Sequence, residues 1–298
     1  MTRRQPSALP AYAMALAGIG LFSIMDMVMK GLVLAIGAFP TMLWRSLIAV
    51  ALTGALFLAR RAPWPDRATL RLHIFRGVLT SGMALLFFWG LARVPMAQAV
   101  ALSFIAPLLS IYLAALLLGE PIGGRILGGS IAAFAGVVVI FVGQARADLG
   151  PAALAGSVAI LVSALIYAYN IVLMRRQALA ALPVEIAFFQ SATVASVLLL
   201  SVPFVGLPPL PTGHWVEAAI AALLGIASIL LLAWGYARAG AAYLSSTEYS
   251  SFLWAMALGW LRFGEPVSAF TLAGAALIVA GCIAAARTPP HPALEASA

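Results

Sequence analysis

Charge is what this chain has least of. Only 9% of its 298 residues are Asp, Glu, Lys or Arg, against roughly 25% in an ordinary soluble domain. With 64% hydrophobic residues and a mean hydropathy of +1.07, too little polar surface remains to face water. A soluble globular protein is excluded. Acidic residues are scarcer than basic ones, 9 against 17, but basic residues flanking spans on one side of a membrane give that balance without nucleic acid. The single cysteine, Cys282, lies in an apolar stretch, which excludes intramolecular disulfides and cysteine metal clusters. His73, His214 and His291 are scattered near the ends of apolar runs, which argues against a metal centre. There is no phosphate-binding Gly-rich loop with Lys and Ser/Thr and no His-Glu-x-x-His, so ATP hydrolysis and zinc hydrolysis find no support. No cofactor is expected. An intramembrane enzyme acting on lipid would cluster a nucleophile and base, or metal ligands, at one depth, and no such cluster is present.

What is there is apolar length. A membrane-spanning helix needs roughly 20 mostly apolar residues. Ten stretches qualify: 9–30, 38–59, 70–92, 95–118, 122–143, 152–174, 183–205, 214–237, 241–263 and 267–286. They are long runs rather than short alternating ones, which favours helices over barrel strands. Arg3 and Arg4 precede the first run, and Ala15-Leu16-Ala17 could be cleaved as a signal peptide, but the apolar run continues well past it. The segment is read as an uncleaved first span. Residues 1–8 form a short leading segment and 287–298 a Pro- and Ala-rich tail.

The second half repeats the first at an offset of 145 residues. Gly90-Leu91-Ala92-Arg93 through Gly119-Glu120-Pro121 matches Gly235-Tyr236-Ala237-Arg238 through Gly264-Glu265-Pro266 without a gap. The domains are therefore two repeats, 9–143 and 152–286, of five spans each. With a cytoplasmic N-terminus, twelve of the Lys and Arg residues fall on the inner side, among them Arg60, Arg61, Arg67, Arg71, Arg76, Arg175 and Arg176. Only Lys30, Arg93, Arg146 and Arg262 fall outside. That bias puts both termini in the cytoplasm. An odd number of spans per half turns the second repeat upside down, the architecture of secondary transporters. The fold class is all-α integral membrane, ten transmembrane helices in two inverted five-helix repeats.

Ionisable residues within spans are costly and usually face the bundle interior. Asp26 and Arg45 lie near the outer ends of spans one and two. They read either as a gate or contact to a charged substrate, or as a structural ion pair. Glu248 lies in a polar run on span nine from Tyr243 to Ser251. It is a proton carrier or an anchor for a substrate amine, or else a hydrogen-bonded packing residue. Asn170 and Gln190 lie at similar depth. The repeat maps Glu248 onto Ser103 and Tyr243 onto Gln98, which adds both to the candidate cavity. Pro107, on the same span as Gln98 and Ser103, frees a carbonyl and permits a hinge or a fixed kink. Phe87, Tyr167 and Tyr249 are candidate pocket walls. Trp89, Trp234 and Tyr236 fit an interfacial belt. The small residues Gly124, Gly128, Gly129, Ala132, Gly136, Gly274, Ala280 and Gly281 allow close helix approach, within one molecule by default and between two as the alternative.

The repeated Gly-Glu-Pro ends of the fourth spans, and Trp44-Arg45 opening the second, resemble the drug/metabolite transporter superfamily. More narrowly they resemble its EamA-type exporters, over residues 9–286. Gln190 departs from a second copy of the span-two basic residue. The resemblance implies ten helices, an inverted repeat, a central cavity and export of amino acids or related metabolites. Within the family the chain looks most like the YddG-type aromatic and neutral amino-acid exporters. The expected function is export by alternating access in a bacterial inner membrane. A drug or nucleoside-like metabolite is the rival substrate, and proton antiport and facilitated diffusion remain equally open. The partners are a small molecule, the bilayer and, if coupled, protons, with no nucleic acid. A monomer is expected and a dimer is the alternative.

Overall fold

The computed structural model describes residues 9–118, 124–147, 150–236 and 247–286. They form eleven helices: α1 (Leu9–Ile36), α2 (Ala38–Ala59), α3 (Arg67–Leu91), α4 (Met96–Ser103), α5 (Ile105–Leu118), α6 (Gly124–Arg146), α7 (Gly150–Ala180), α8 (Pro183–Val205), α9 (Trp215–Tyr236), α10 (Ser250–Phe263) and α11 (Ala269–Ala286). Seven carry a segment long and apolar enough to cross a bilayer: α1, α2, α3, α6, α7, α8 and α9. The fourth expected span is split into α4 and α5, and the first part of the ninth, with Tyr243, falls outside the described residues. Apolar side chains such as Phe134, Leu200 and Phe204 stand out from the bundle surface. Such exposure is unfavourable in water and costs nothing in hydrocarbon.

Local sequence sets the helix ends. Asp66 caps α3, its carboxylate accepting the Thr69 amide at 2.7 Å, as a short acidic side chain does for an unpaired first-turn donor. α10 stops at Gly264, whose φ of 66° is left-handed. Its amide bonds Trp260 O at 3.0 Å. Glycine adopts that conformation without Cβ strain, and the reversal swings Glu265 back onto the bundle.

Packing pairs the two halves. α1 lies on α9, α3 on α7, α2 on α8 and α6 on α11. The 145-residue offset carries α1 onto α7 and α9 onto α3, so the first two pairs are each other's counterparts with halves exchanged. Individual contacts follow the same rule. Ser228 Oγ donates to Gly18 O at 2.8 Å, and Ser163 Oγ donates to Met83 O at 2.8 Å. A Cβ on Gly235 would stand 3.1 Å from Ala11 O, and one on Gly90 would stand 2.6 Å from Gly156 O. In both pairs the start of one helix lies against the end of the other, so they run antiparallel. α6 and α11 approach more closely still. A Cβ on Gly136 would fall 2.5 Å from Gly274 O, and one on Gly281 would fall 2.3 Å from Gly129 O. These small residues serve packing within the molecule, where close backbones replace the hydrophobic drive that lipid removes. Gly124 and Gly128 meet nothing within 4 Å.

Candidate substrate site

The fourth span breaks at Phe104, between α4 and α5. Pro107 lies in the first turn of α5 and lacks the amide that would bond Ser103 O, and its ring crowds that carbonyl. The break falls there. Cys282 Sγ from α11 donates to Phe104 O at 3.2 Å, and the Leu108 amide also faces that sulfur. A thiol thus occupies a step of the helical ladder, one of the ordinary causes of a bend. The chain departs from helix again at Tyr249, just before α10, with no proline to announce it. Tyr249 is the repeat counterpart of Phe104. The two rings meet edge to face, 5.4 Å apart and 81° between planes.

Several candidates gather around this meeting point. Ser103 ends α4, half-buried, its hydroxyl turned back to Ala99 O at 2.9 Å. Glu248 adjoins Tyr249 and acts electrostatically on both Tyr249 and Tyr167. Tyr167, on α7, packs beside Ile105, Ala106 and Leu109 of α5. It is also within electrostatic reach of Arg76.

Arg76, placed on the inner side by the Lys and Arg count, turns its side chain into the bundle. It lies nine residues into α3 and is 8% exposed. Its Nε donates to Asn170 Oδ1 at 2.8 Å, its Nη1 to Gln177 Oε1. Asn170 passes the chain to Thr80 Oγ1 at 2.8 Å. Gln177 donates to His73 Nδ1, which leaves Nε2–H of His73 to donate to Glu185 Oε1 at 3.0 Å. His73 stacks on Phe189, 5.1 Å between centroids and 7° between planes. One directional hydrogen-bond chain therefore ties α3, α7 and α8 together. His73, Arg76 and Thr80 share a face of α3 by their spacing of three and four, and Asn170 and Gln177 share a face of α7 by their spacing of seven. That periodicity is the signal from which the group could have been read.

Gln98 and Phe87 lie apart from this group. Gln98 is buried on α4, donating to Gln144 Oε1 at 2.9 Å and Ser157 Oγ at 3.1 Å. Phe87 packs edge to face on Phe88, 5.3 Å apart. Asp26 and Arg45 are close enough to interact electrostatically, but among the described residues no ion pair within 4.0 Å joins them. Asp26 Oδ1 and Arg45 Nε are enclosed without a hydrogen-bond partner. The Arg45 guanidinium lies against α9, where a Cβ on Gly225 would come within 3.2 Å of its Nη2.

The direct ion pair near this end is a different one. Lys30 is 3% exposed and pairs with Glu265 while donating to Val94 O at 2.7 Å. The second Glu265 oxygen accepts the Met96 amide at 2.7 Å. Lys30, Val94 and Glu265 line an open recess of about 360 Å³ together with Arg93 and Phe263. No local pattern marks Lys30 and Glu265 as partners. The repeat does carry a trace: the offset maps them onto Arg175 and Glu120, again one base and one acid.

A fold alone names no activity, and comparison with known proteins decides the kind. The EamA-like transporter family model matches twice, over residues 9–142 and 154–287. The chain belongs to the EamA-like transporter family. Two curated relatives, both named "Pseudopaline exporter CntI" and from Pseudomonas aeruginosa strains UCBPP-PA14 and PAO1, are 26% identical over 272 residues, covering 90% of this chain and 92% of theirs. A solved structure described as "Crystal structure of protein" superposes with a TM-score of 0.62 at 23% identity, over 94% of this chain and 98% of its own. That last likeness concerns fold alone. The chain is thus a multi-pass membrane protein of a transporter family with exporters among its relatives.

Proposed function

We propose that this EamA-like transporter exports amino acids, aromatic or neutral, or related small metabolites across a bacterial inner membrane by alternating access. The reading takes residues 9–143 and 152–286 as inverted five-helix halves with both chain ends in the cytoplasm. The observation that carries it is the meeting of the two interruptions at Phe104 and Tyr249. Broken helices facing each other inside a bundle are where carriers of this general design hold their substrates, because only there does irregular backbone meet a cavity. The exchanged contacts of α1–α9 and α3–α7, with their antiparallel course, support the inversion. The Lys and Arg bias supports the orientation. In this reading Glu248 anchors a substrate ammonium group, Tyr167 and Tyr249 wall the apolar part, and Ser103, Asn170 and Tyr243 supply polar contacts, with Phe87 and Gln98 farther along the route. Asp26 and Arg45 contact charge on the substrate as it passes, Pro107 hinges the fourth span, and Lys30 with Glu265 closes the outer end. The relatives favour a second reading, export of a pseudopaline-like product by the same route. Counterflow of radiolabelled phenylalanine in proteoliposomes, with and without a pH gradient, tests the first. Accumulation that unlabelled neutral amino acids compete away is expected. Absence of amino-acid flux overturns the substrate, and flux indifferent to the gradient removes proton coupling.

A further inference from the structure

Arg76 is a buried cation held by neutral groups. Two of its nitrogens bond the amides of Asn170 and Gln177, and among the described residues no carboxylate lies within 4.0 Å of it. The nearest acid along its hydrogen-bond chain, Glu185, stands beyond Gln177 and His73. Among the described residues its remaining nitrogen, Nη2, makes no hydrogen bond, yet it is not among the enclosed unpartnered atoms. That nitrogen therefore borders open space, on a residue otherwise buried, with Tyr167 nearby on α7. Neutral amides orient a guanidinium without cancelling its charge. An unneutralised guanidinium in a low-dielectric interior favours a planar, bidentate anion.

We propose that Arg76 is the subsite for a carboxylate of the transported molecule, held in position by Asn170 and Gln177. It rests on the transport reading above and adds the charge requirement at one end of the substrate. Glu248 and Arg76 both act electrostatically on Tyr167, so an acid and a base lie within reach of one side chain.

The test compares carboxylate and carboxamide forms of one ligand. Thermal unfolding of the purified full chain in detergent is followed as L-phenylalanine, L-phenylalaninamide and an apolar dicarboxylate are titrated in. The variants are Arg76→Gln and Asn170→Asp, the latter placing a carboxylate on the guanidinium while leaving the side-chain volume almost unchanged. In wild type the carboxylate is expected to bind about 10- to 100-fold more tightly than its amide, the worth of a charge-assisted hydrogen bond. Both variants should erase that preference. A variant that keeps the preference overturns the assignment. So does one that weakens acid and amide equally, since that marks a purely structural cross-link. If phenylalanine neither binds nor moves while the dicarboxylate binds wild type and not the variants, the amino-acid reading fails and the carboxylate subsite stands. If no carboxylate separates wild type from Arg76→Gln, the subsite falls while amino-acid flux can still be measured by itself.

Discussion

Glu265→Gln isolates the charge of the Lys30–Glu265 pair. The substitution keeps the shape of the side chain and an oxygen for the Met96 amide, bonded at 2.7 Å in the native chain. What it removes is the negative charge facing Lys30, which is 3% exposed and then keeps Val94 O at 2.7 Å and the Phe263 ring 5.3 Å from its Nζ. Losing a hydrogen bond between charged groups costs about 1.5–3 kcal/mol. Glu265 is 19% exposed, so water screens part of this, and about 1–2 kcal/mol is the reasonable share. Lys30→Met should cost a similar amount. The double variant should cost less than the two singles together, because neither charge is then left alone. If the pair holds the outer end shut, that energy appears as an opening population about 5- to 30-fold larger. Ser103→Cys in a Cys282→Ala background supplies a thiol behind the closure. Its rate of modification by a membrane-impermeant maleimide added outside cells should rise by that factor in Glu265→Gln. An unchanged rate together with a lowered melting temperature would refute the gate and leave a packing salt bridge. Strict additivity in the double variant would refute the pairing itself.

Three further outcomes follow from the packing and the site. Gly281→Ala forces a Cβ to within 2.3 Å of Gly129 O and should destabilise the α6–α11 pair by about 1–3 kcal/mol, while Gly128→Ala, with nothing within 4 Å, should be neutral or gain up to about 1 kcal/mol from helix propensity; thermal unfolding in detergent reads both, and equal effects would contradict the close approach. His73→Phe removes the acceptor of Gln177 and the donor to Glu185, leaving two buried groups unpaired at about 1–3 kcal/mol each, and a melting temperature equal to wild type would deny the chain its role. Glu248→Gln should flatten the pH dependence of flux if this carboxyl carries a proton, and an unaltered profile in proteoliposomes removes it from that role.

The membrane class, the repeat and the family were legible because each depends on residues near one another in sequence or at a fixed offset. Apolar length names a span, and the offset from Gly90 to Gly235 names a duplication. Glu248, Ser103 and Pro107 were singled out by polar or breaking character inside apolar runs and Tyr167 as an aromatic wall, and the structure brings them to one region. Near a span end, counting residues does not say whether a base such as Arg76 stays in water or turns inward. The turn inward depends on Asn170 and Gln177, about a hundred residues away.

By itself the chain determined that it lives in a bilayer, because so few charged groups cannot clothe it in water, and that its halves are copies. The break at Tyr249, the Lys30–Glu265 ion pair and the buried chain from Thr80 to Glu185 were decided only by tertiary structure. Each is a balance of desolvation against partners supplied by other helices, and no local stretch of sequence contains both sides of that balance.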